Sequence, residues 1–233
     1  MKIKYTDYKC LYLAVLAFLQ SSLLNADSET FADLVRERTN NAVPQENAII
    51  CIGSSHMARW TTVSRDLAPL TIYNFGIGGT TMKDAAQKFA EGLAIPYKPR
   101  AIILYEGSND IHRNDTAGMI LTDFKEFCQK VHNALPKTRI YVLGIVPSPG
   151  ELFEKWETIQ EANRFLANQC DSDDRLIFID TTSGLIGSDG HPRMECFLHE
   201  NIHMNDTGYQ VWADAVAPVI VPKEESYEKL KLP

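Results

Sequence analysis

Apolar positions along this chain switch between two periods. Five short runs, residues 48–52, 70–73, 101–105, 139–146 and 176–179, are largely apolar and rich in Ile, Leu, Val and Tyr. Runs of that length read as strands buried on both faces, the first ending at Gly53. Between them the spacing changes to i, i+3/i+4, the period of an amphipathic helix. Residues 81–92 carry it first. Ile120, Phe124, Phe127, Val131 and Leu135 carry it next. Leu152, Trp156, Ile159, Asn163 and Leu166 follow, and Tyr209, Trp212, Ala213 and Val216 come last. An earlier helix is expected on Phe31, Leu34 and Val35, capped by Asp27 or Ser28. Strands alternating with helices build βαβ units and a parallel sheet. The pattern predicts a three-layer α/β/α sandwich around a five-stranded parallel sheet in the order 2-1-3-4-5. No internal repeat, low-complexity segment or Gly/Ser linker interrupts it.

The N-terminus has a different grammar. Lys2, Lys4 and Lys9 precede an apolar run over residues 10–19, and small polar residues fill 21–26. That is the pattern of a secretory signal peptide, with cleavage expected after Ala26. An uncleaved anchor and a buried cytosolic helix are the alternatives; the run is short for a membrane span. The expected organisation is a signal peptide at 1–26 and one domain at 27–233. The mature chain is expected to be secreted or periplasmic, with no stable membrane span. Of 233 residues, 45% are hydrophobic and 23% charged, enough apolar material for one cored domain. The net charge of −7 offers no basic face for nucleic acid and no general attraction to anionic lipid. Lys223, Glu224, Glu225, Lys229 and Lys231 read as a mixed, solvated end. Cys10 would leave with the signal. Cys51 and Cys128 read as buried thiols, and Cys170 with Cys196 is the pair to test for a disulfide.

The candidate chemistry falls where an open parallel sheet puts it, beyond the carboxyl ends of the strands near the switch of strand order. Gly53-Ser54-Ser55-His56 follows the first run, Asn74-Phe75-Gly76-Ile77-Gly78-Gly79 the second, and Gly107-Ser108-Asn109-Asp110 the third. Glu200-Asn201-Ile202-His203 precedes the last helix. Ser55 is the candidate nucleophile, with Ser54 as its competitor; a serine hydroxyl needs a base to take its proton. His203 is the candidate base, and Glu200 could orient it and stabilise its imidazolium. The Gly79 N–H and the Asn109 amide suit an oxyanion hole, with the Ser55 N–H as a third donor. Asp110 reads as a local turn former. Each segment alone has a plainer reading as a turn; the ordered set points to acyl transfer.

Other chemistries fit worse. The glycine turn lacks the third glycine of G-x-G-x-x-G, so a dinucleotide cofactor is not expected. His199, Glu200 and His203 read H-E-x-x-x-H, which misses the i, i+4 histidine spacing of helical zinc sites. No cofactor and no metal are expected. His56 is too near Ser55 in sequence to reach its hydroxyl easily, and His112, His132 and His191 show no carboxylate at useful spacing.

Together these segments resemble the SGNH/GDSL hydrolase superfamily, in its lysophospholipase-like and acetyl-esterase-like bacterial branch. The resemblance spans about residues 45–220. It implies that Ser55 is the nucleophile, Gly79 and Asn109 the oxyanion donors, and His203 the base. The run His203-Met204-Asn205-Asp206-Thr207-Gly208-Tyr209 continues like the family's last block. Two positions depart: Ser54 stands where the family has Asp, and Glu200-x-x-His203 where it has Asp-x-x-His. The implied function is hydrolysis of carboxylic esters, of short acyl groups on sugars or small alcohols, through an acyl-enzyme. A lysophospholipase or lipase, an acyltransferase, and a non-catalytic glycan- or lipid-binding relative are the alternatives. Trp60, Phe153 and Trp156 are candidates for lining the substrate pocket.

Overall fold

The computed structural model describes Asp33 and residues 44–199 and 202–229. The expected signal peptide, Glu200 and, apart from Asp33, the helix around Phe31–Val35 lie outside the described residues. The chain divides into two units, Met1–Asn41 and Ala42–Pro233, and the second holds the architecture below.

Five strands form one sheet: β1 (Ile49–Gly53), β2 (Ile72–Asn74), β3 (Ala101–Tyr105), β4 (Arg139–Leu143) and β5 (Leu176–Ile179). All pairings are parallel and the order is 2-1-3-4-5. β1 and β3 are buried at every position, as their uninterrupted apolar runs require. Consecutive parallel strands need crossovers, and helices supply them. These are α1 (Ser55–Arg59) and α2 (Val63–Asp66) after β1, and α3 (residues 82–97) after β2. α4 (Ser108–His112) and α5 (Ala117–Ala134) follow β3. α6 (Glu151–Glu154) and α7 (Trp156–Cys170) follow β4, and α8 (Asp206–Lys229) closes the chain. One sheet face, through Ile49, Cys51, Ile103, Tyr105, Tyr141 and Leu143, shares a core with α1, α2 and α8 residues such as Met57, Val63, Trp212 and Val216. α3, α5 and α7 pack together in the opposite layer.

Two helices run further than their sequence pattern indicates. α3 is continuous from Met82–Asp84 through the π-helical Ala85–Ala94 to Ile95–Tyr97. Its buried residues are Ala85, Phe89 and Leu93 with Ala86, Ala90 and Ala94, two strict repeats of four. On a 3.6-residue turn such a repeat drifts by about 40° per step. Widened π turns are unusual over this length but compatible with that repeat. Thr81 and Asp84 start the helix with a capping box.

α8 continues to Lys229 and contains Pro218 and Pro222. Its last turns correct the expectation of a solvated end. Glu224 is fully buried, accepting from Arg100 Nε (3.0 Å), Arg139 Nε and Nη2 (2.5 and 2.8 Å) and Tyr141 OH (2.7 Å). Glu228 accepts from Arg100 and from the Thr71 N–H and hydroxyl. This cluster ties the end of the chain to the amino ends of β3 and β4. Burial alone would raise the Glu224 carboxyl; its hydrogen bonds from Arg139 and Tyr141 outweigh that and leave it below its ordinary value.

All four described cysteines are free and buried, so the suggested Cys170–Cys196 bridge is not formed. Cys170 ends α7, whereas Cys196 lies in a short 3-10 turn and belongs to the core beneath α8. Among the described residues no helix is long and apolar enough to cross a membrane.

Candidate active site

β1 ends at Gly53, where φ is +159° and a Cβ would stand 2.3 Å from the Tyr105 carbonyl oxygen. Only glycine allows β1 and β3 so close at this point. Ser54 then turns the chain inward, fully buried, and Ser55 begins α1. The two serines diverge as neighbours on a turn must. The Ser54 hydroxyl is buried without a hydrogen-bond partner, whereas Ser55 Oγ lies 2.9 Å from His203 Nε2. As the first residue of α1, Ser55 has an N–H with no acceptor inside the helix.

His203 reaches this point from the other end of the sequence because its loop is pinned on several sides. Leu198 N–H donates to the His203 carbonyl (2.9 Å), and Phe197 and Met204 form an antiparallel bridge. Asn205 Oδ1 accepts from the N–H groups of Thr207 and Gly208, capping α8 immediately afterwards. A Cβ on Gly208 would stand 2.4 Å from the Cys196 carbonyl oxygen, so only glycine fits there. Tyr209 OH donates to the His56 carbonyl at 2.8 Å, joining the start of α8 to α1. With Nε2 accepting from Ser55, the His203 proton belongs on Nδ1. Burial, and then the Arg59 cation, lower the His203 pKa below its ordinary value.

His56 has a role that its sequence position did not suggest. It is buried, with Nε2 3.1 Å from the carbonyl oxygen of Ile202, the residue before His203. Its ring centroid lies 5.3 Å from that of His203. Burial, with the neighbouring His203, brings its pKa down to about 3, so it stays neutral and donates through Nε2. Nδ1 is then a buried acceptor without a partner. His56 faces the backbone that carries His203 rather than the Ser55 hydroxyl.

The glycine turn after β2 passes over Ser55: a Cβ on Gly78 would stand 3.8 Å from Ser55 Cβ. Gly79 has φ +84°, and a Cβ there would meet nothing within 4 Å, so conformation rather than crowding asks for glycine. The β3–α4 segment holds this turn. Asn109 Nδ2 donates to Thr80 O (2.8 Å), Arg113 Nη2 donates to Gly79 O (3.0 Å), and the Met82 N–H donates to Asp110 Oδ1 and Oδ2 (3.0 and 3.1 Å). Asp110 therefore ties its turn to the start of α3, and burial raises its pKa to about 6.

Beside Asn109 opens a cavity of about 510 Å³, lined also by His112, Pro149, Leu152, Met194 and Ile202. Loops after β3, β4 and β5 all contribute. Trp60 does not: it is fully buried, donating to Asp66 Oδ2 at 2.8 Å. Trp156 lines a separate cavity near β5, its ring stacked on Phe153. His112 and His132 do have carboxylates nearby, Glu151 at 3.8 Å and Asp173 at 4.0 Å. Those partners are too far along the chain for spacing to reveal, and neither pair touches Ser55.

A doubly wound sheet presenting a serine–histidine pair at its switch point, beneath a glycine turn and an asparagine amide, is the layout of a hydrolase fold. The chain belongs to the GDSL-like lipase/acylhydrolase family, whose model matches residues 50–211. It is 29% identical over 165 residues to platelet-activating factor acetylhydrolase IB subunit alpha1 of Rattus norvegicus, covering 66% of this chain and 68% of that one. Among solved structures it is similar to a GDSL-like lipase from Bacteroides thetaiotaomicron, with a TM-score of 0.68 at 17% identity, covering 83% and 98% of the two chains. It is also similar to a carbohydrate esterase family 3 protein from Talaromyces cellulolyticus, with a TM-score of 0.60 at 16% identity, covering 77% and 99%.

Proposed function

We propose that the chain is a carboxylic ester hydrolase working through an acyl-enzyme on Ser55. The observation that carries this reading is the 2.9 Å contact between Ser55 Oγ and His203 Nε2. His203 takes the hydroxyl proton as Ser55 Oγ attacks the ester carbonyl. The developing oxyanion accepts from the N–H groups of Ser55 and Gly79 and from Asn109 Nδ2. His203 then gives its proton to the leaving alkoxide, and the alcohol departs. Water, deprotonated by His203, attacks the acyl-enzyme; as that tetrahedral intermediate collapses, its bond to Ser55 Oγ breaks, His203 returns the proton to Ser55 Oγ, and the acid is released. Glu200, at three residues' spacing, stabilises the imidazolium in both halves. Secretion after cleavage at Ala26 belongs to the same reading, and N-terminal sequencing of exported protein tests it.

Short acyl esters of sugars or small alcohols are the favoured substrates. The names of two relatives, an acetylhydrolase and a carbohydrate esterase, support this choice. One observation favours a second reading, a lysophospholipase or lipase. Met194 (57% exposed) and Ile202 (38%) give the 510 Å³ cavity an apolar rim, more than an acetyl group needs. Turnover of acetyl, butyryl and octanoyl p-nitrophenyl esters, beside Ser55→Ala, separates the two. Activity lost in the variant and falling with chain length supports the short-acyl esterase; activity rising toward octanoyl supports the second reading. Equal background rates, with no fluorophosphonate labelling of Ser55, would refute both.

A further inference from the structure

Glu106 directly follows β3, is fully buried, and takes no part in the reaction as written above. Its Oε1 lies 2.7 Å from Thr80 Oγ1, and its Oε2 is buried with no hydrogen-bond partner. Thr80 Oγ1 is also 2.9 Å from the Ile77 carbonyl oxygen. A hydroxyl has one proton, and a carbonyl can only accept. A single Thr80 proton can serve both acceptors only as a shared bond; both contacts are full hydrogen bonds when Glu106 supplies the second proton, its acid O–H donating to Thr80 and Thr80 donating to Ile77.

The surroundings favour the protonated acid. Burial is the main cause that raises the Glu106 pKa well above its ordinary value. Asp110 and Asp84 add to the rise, and Arg113 opposes it weakly. The Arg113 guanidinium itself donates to the Gly79 carbonyl. Donation from the Thr80 hydroxyl would favour the carboxylate, but Thr80 carries no charge and the Ile77 carbonyl competes for its proton. An ionised carboxylate here would have one oxygen wholly unsolvated, which costs far more than an unpaired neutral carbonyl.

We propose that Glu106 is a positioning residue for this ester hydrolysis, acting as a buried carboxylic acid that braces the oxyanion turn through Thr80. The chain of contacts runs Glu106–Thr80–Ile77 on the side-chain side, while Asn109 grips the Thr80 carbonyl at 2.8 Å. Thr80 thus joins two proposed oxyanion donors: it neighbours Gly79 and bonds Asn109. Donors must sit within a few tenths of an ångström of the oxyanion to stabilise it, so slack in Thr80 reaches the transition state more than the bound ester. The inference rests on the esterase reading.

The test uses the full chain with p-nitrophenyl acetate. Glu106→Gln keeps a neutral donor to Thr80 and is expected to hold kcat within about twofold of wild type. Glu106→Leu and Thr80→Val lose the brace and are expected to lower kcat by about tenfold or more, with KM little changed. Their double variant should be no slower than the slower single one, because both break one chain of contacts. Wild type should lose kcat reversibly at alkaline pH as Glu106 ionises, and Glu106→Gln should lack that limb. Wild-type kcat in Thr80→Val, or a Glu106→Gln variant as slow as Glu106→Leu, would overturn the proposal. An alkaline limb identical in wild type and Glu106→Gln would overturn it too. Each of those results leaves the esterase reading standing. Wild type without turnover or fluorophosphonate labelling would remove that reading, and this inference with it.

Discussion

Replacing Asn109 with alanine separates the chemistry of the site from its architecture. The Asn109 amide has two N–H bonds, and one is spent on the Thr80 carbonyl at 2.8 Å. On the proposed mechanism the second donates to the oxyanion. Removing such a donor typically costs about 2.7–4 kcal/mol of barrier, a loss of about 100- to 1,000-fold in kcat. The architectural cost is smaller. Asn109 is half-buried, and one hydrogen bond to a backbone carbonyl contributes about 1 kcal/mol to stability. In a domain of this size that lowers the melting temperature by about 2–4 °C. The assay is steady-state hydrolysis of p-nitrophenyl acetate, with Ser55→Ala as background and a melt of each variant. Asn109→Ala should bind fluorophosphonate slowly, melt near wild type and turn over at least about 100-fold more slowly. A kcat within twofold of wild type would remove Asn109 from the oxyanion hole and leave it a turn former.

The acid limb of kcat/KM should lie below pH 6.5, the ordinary histidine value, because burial and Arg59 lower the His203 pKa. The base works when neutral, so a lower pKa keeps activity to lower pH; Arg59→Ala should move the limb upward, and a wild-type limb above 6.5 would contradict this. His56→Ala should cut kcat by about tenfold by freeing the Ile202 carbonyl. His56 stays neutral across the assay range, with its pKa near 3, so the acid limb should keep its place; a shifted limb would make His56 part of the titrating site. Glu224→Ala leaves Arg139 and the Tyr141 hydroxyl without their carboxylate, though Arg100 keeps Glu228, and should destabilise by about 3–5 kcal/mol in urea unfolding; a loss under 1 kcal/mol would refute that reasoning. Glu224 titrates below its unfolded value of about 4.3, so its contribution is complete above that pH and is lost as pH falls through the folded value.

The sheet was legible because its evidence is local. Ile49 to Ile52 and Ala101 to Tyr105 are buried on both sides, so the apolar runs contain no polar residue to mislead. The short helices α1 and α4 were not legible. Each is five residues long, too short for a period to show, and each begins at a candidate site residue or its neighbour. The end of α8 misled for a different reason. Lys223, Glu224 and Glu225 look solvated by composition, yet Arg100 and Arg139 lie 124 and 85 residues before Glu224 and compensate its charge inside the protein. Long-range pairing of this kind leaves no mark on spacing. The same holds for His56, whose partner is a backbone carbonyl 146 residues away.

That distinction also explains how the site tolerates its unusual residues. Leu198, Met204, Asn205, Gly208 and Tyr209 fix the backbone around His203 through strand-like bonds, a helix cap and a close glycine contact. His56 adds a bond to the adjoining carbonyl. Main-chain architecture thus fixes the backbone that carries the imidazole. Ser54 follows the same logic. Its side chain is buried and takes no part in the Ser55–His203 contact, so an aspartate can be absent there without displacing Ser55. The positions that cannot vary on this account are those where backbone meets backbone, Gly53 against Tyr105 and Gly208 against Cys196, since a Cβ at either would push Ser55 or His203 out of register.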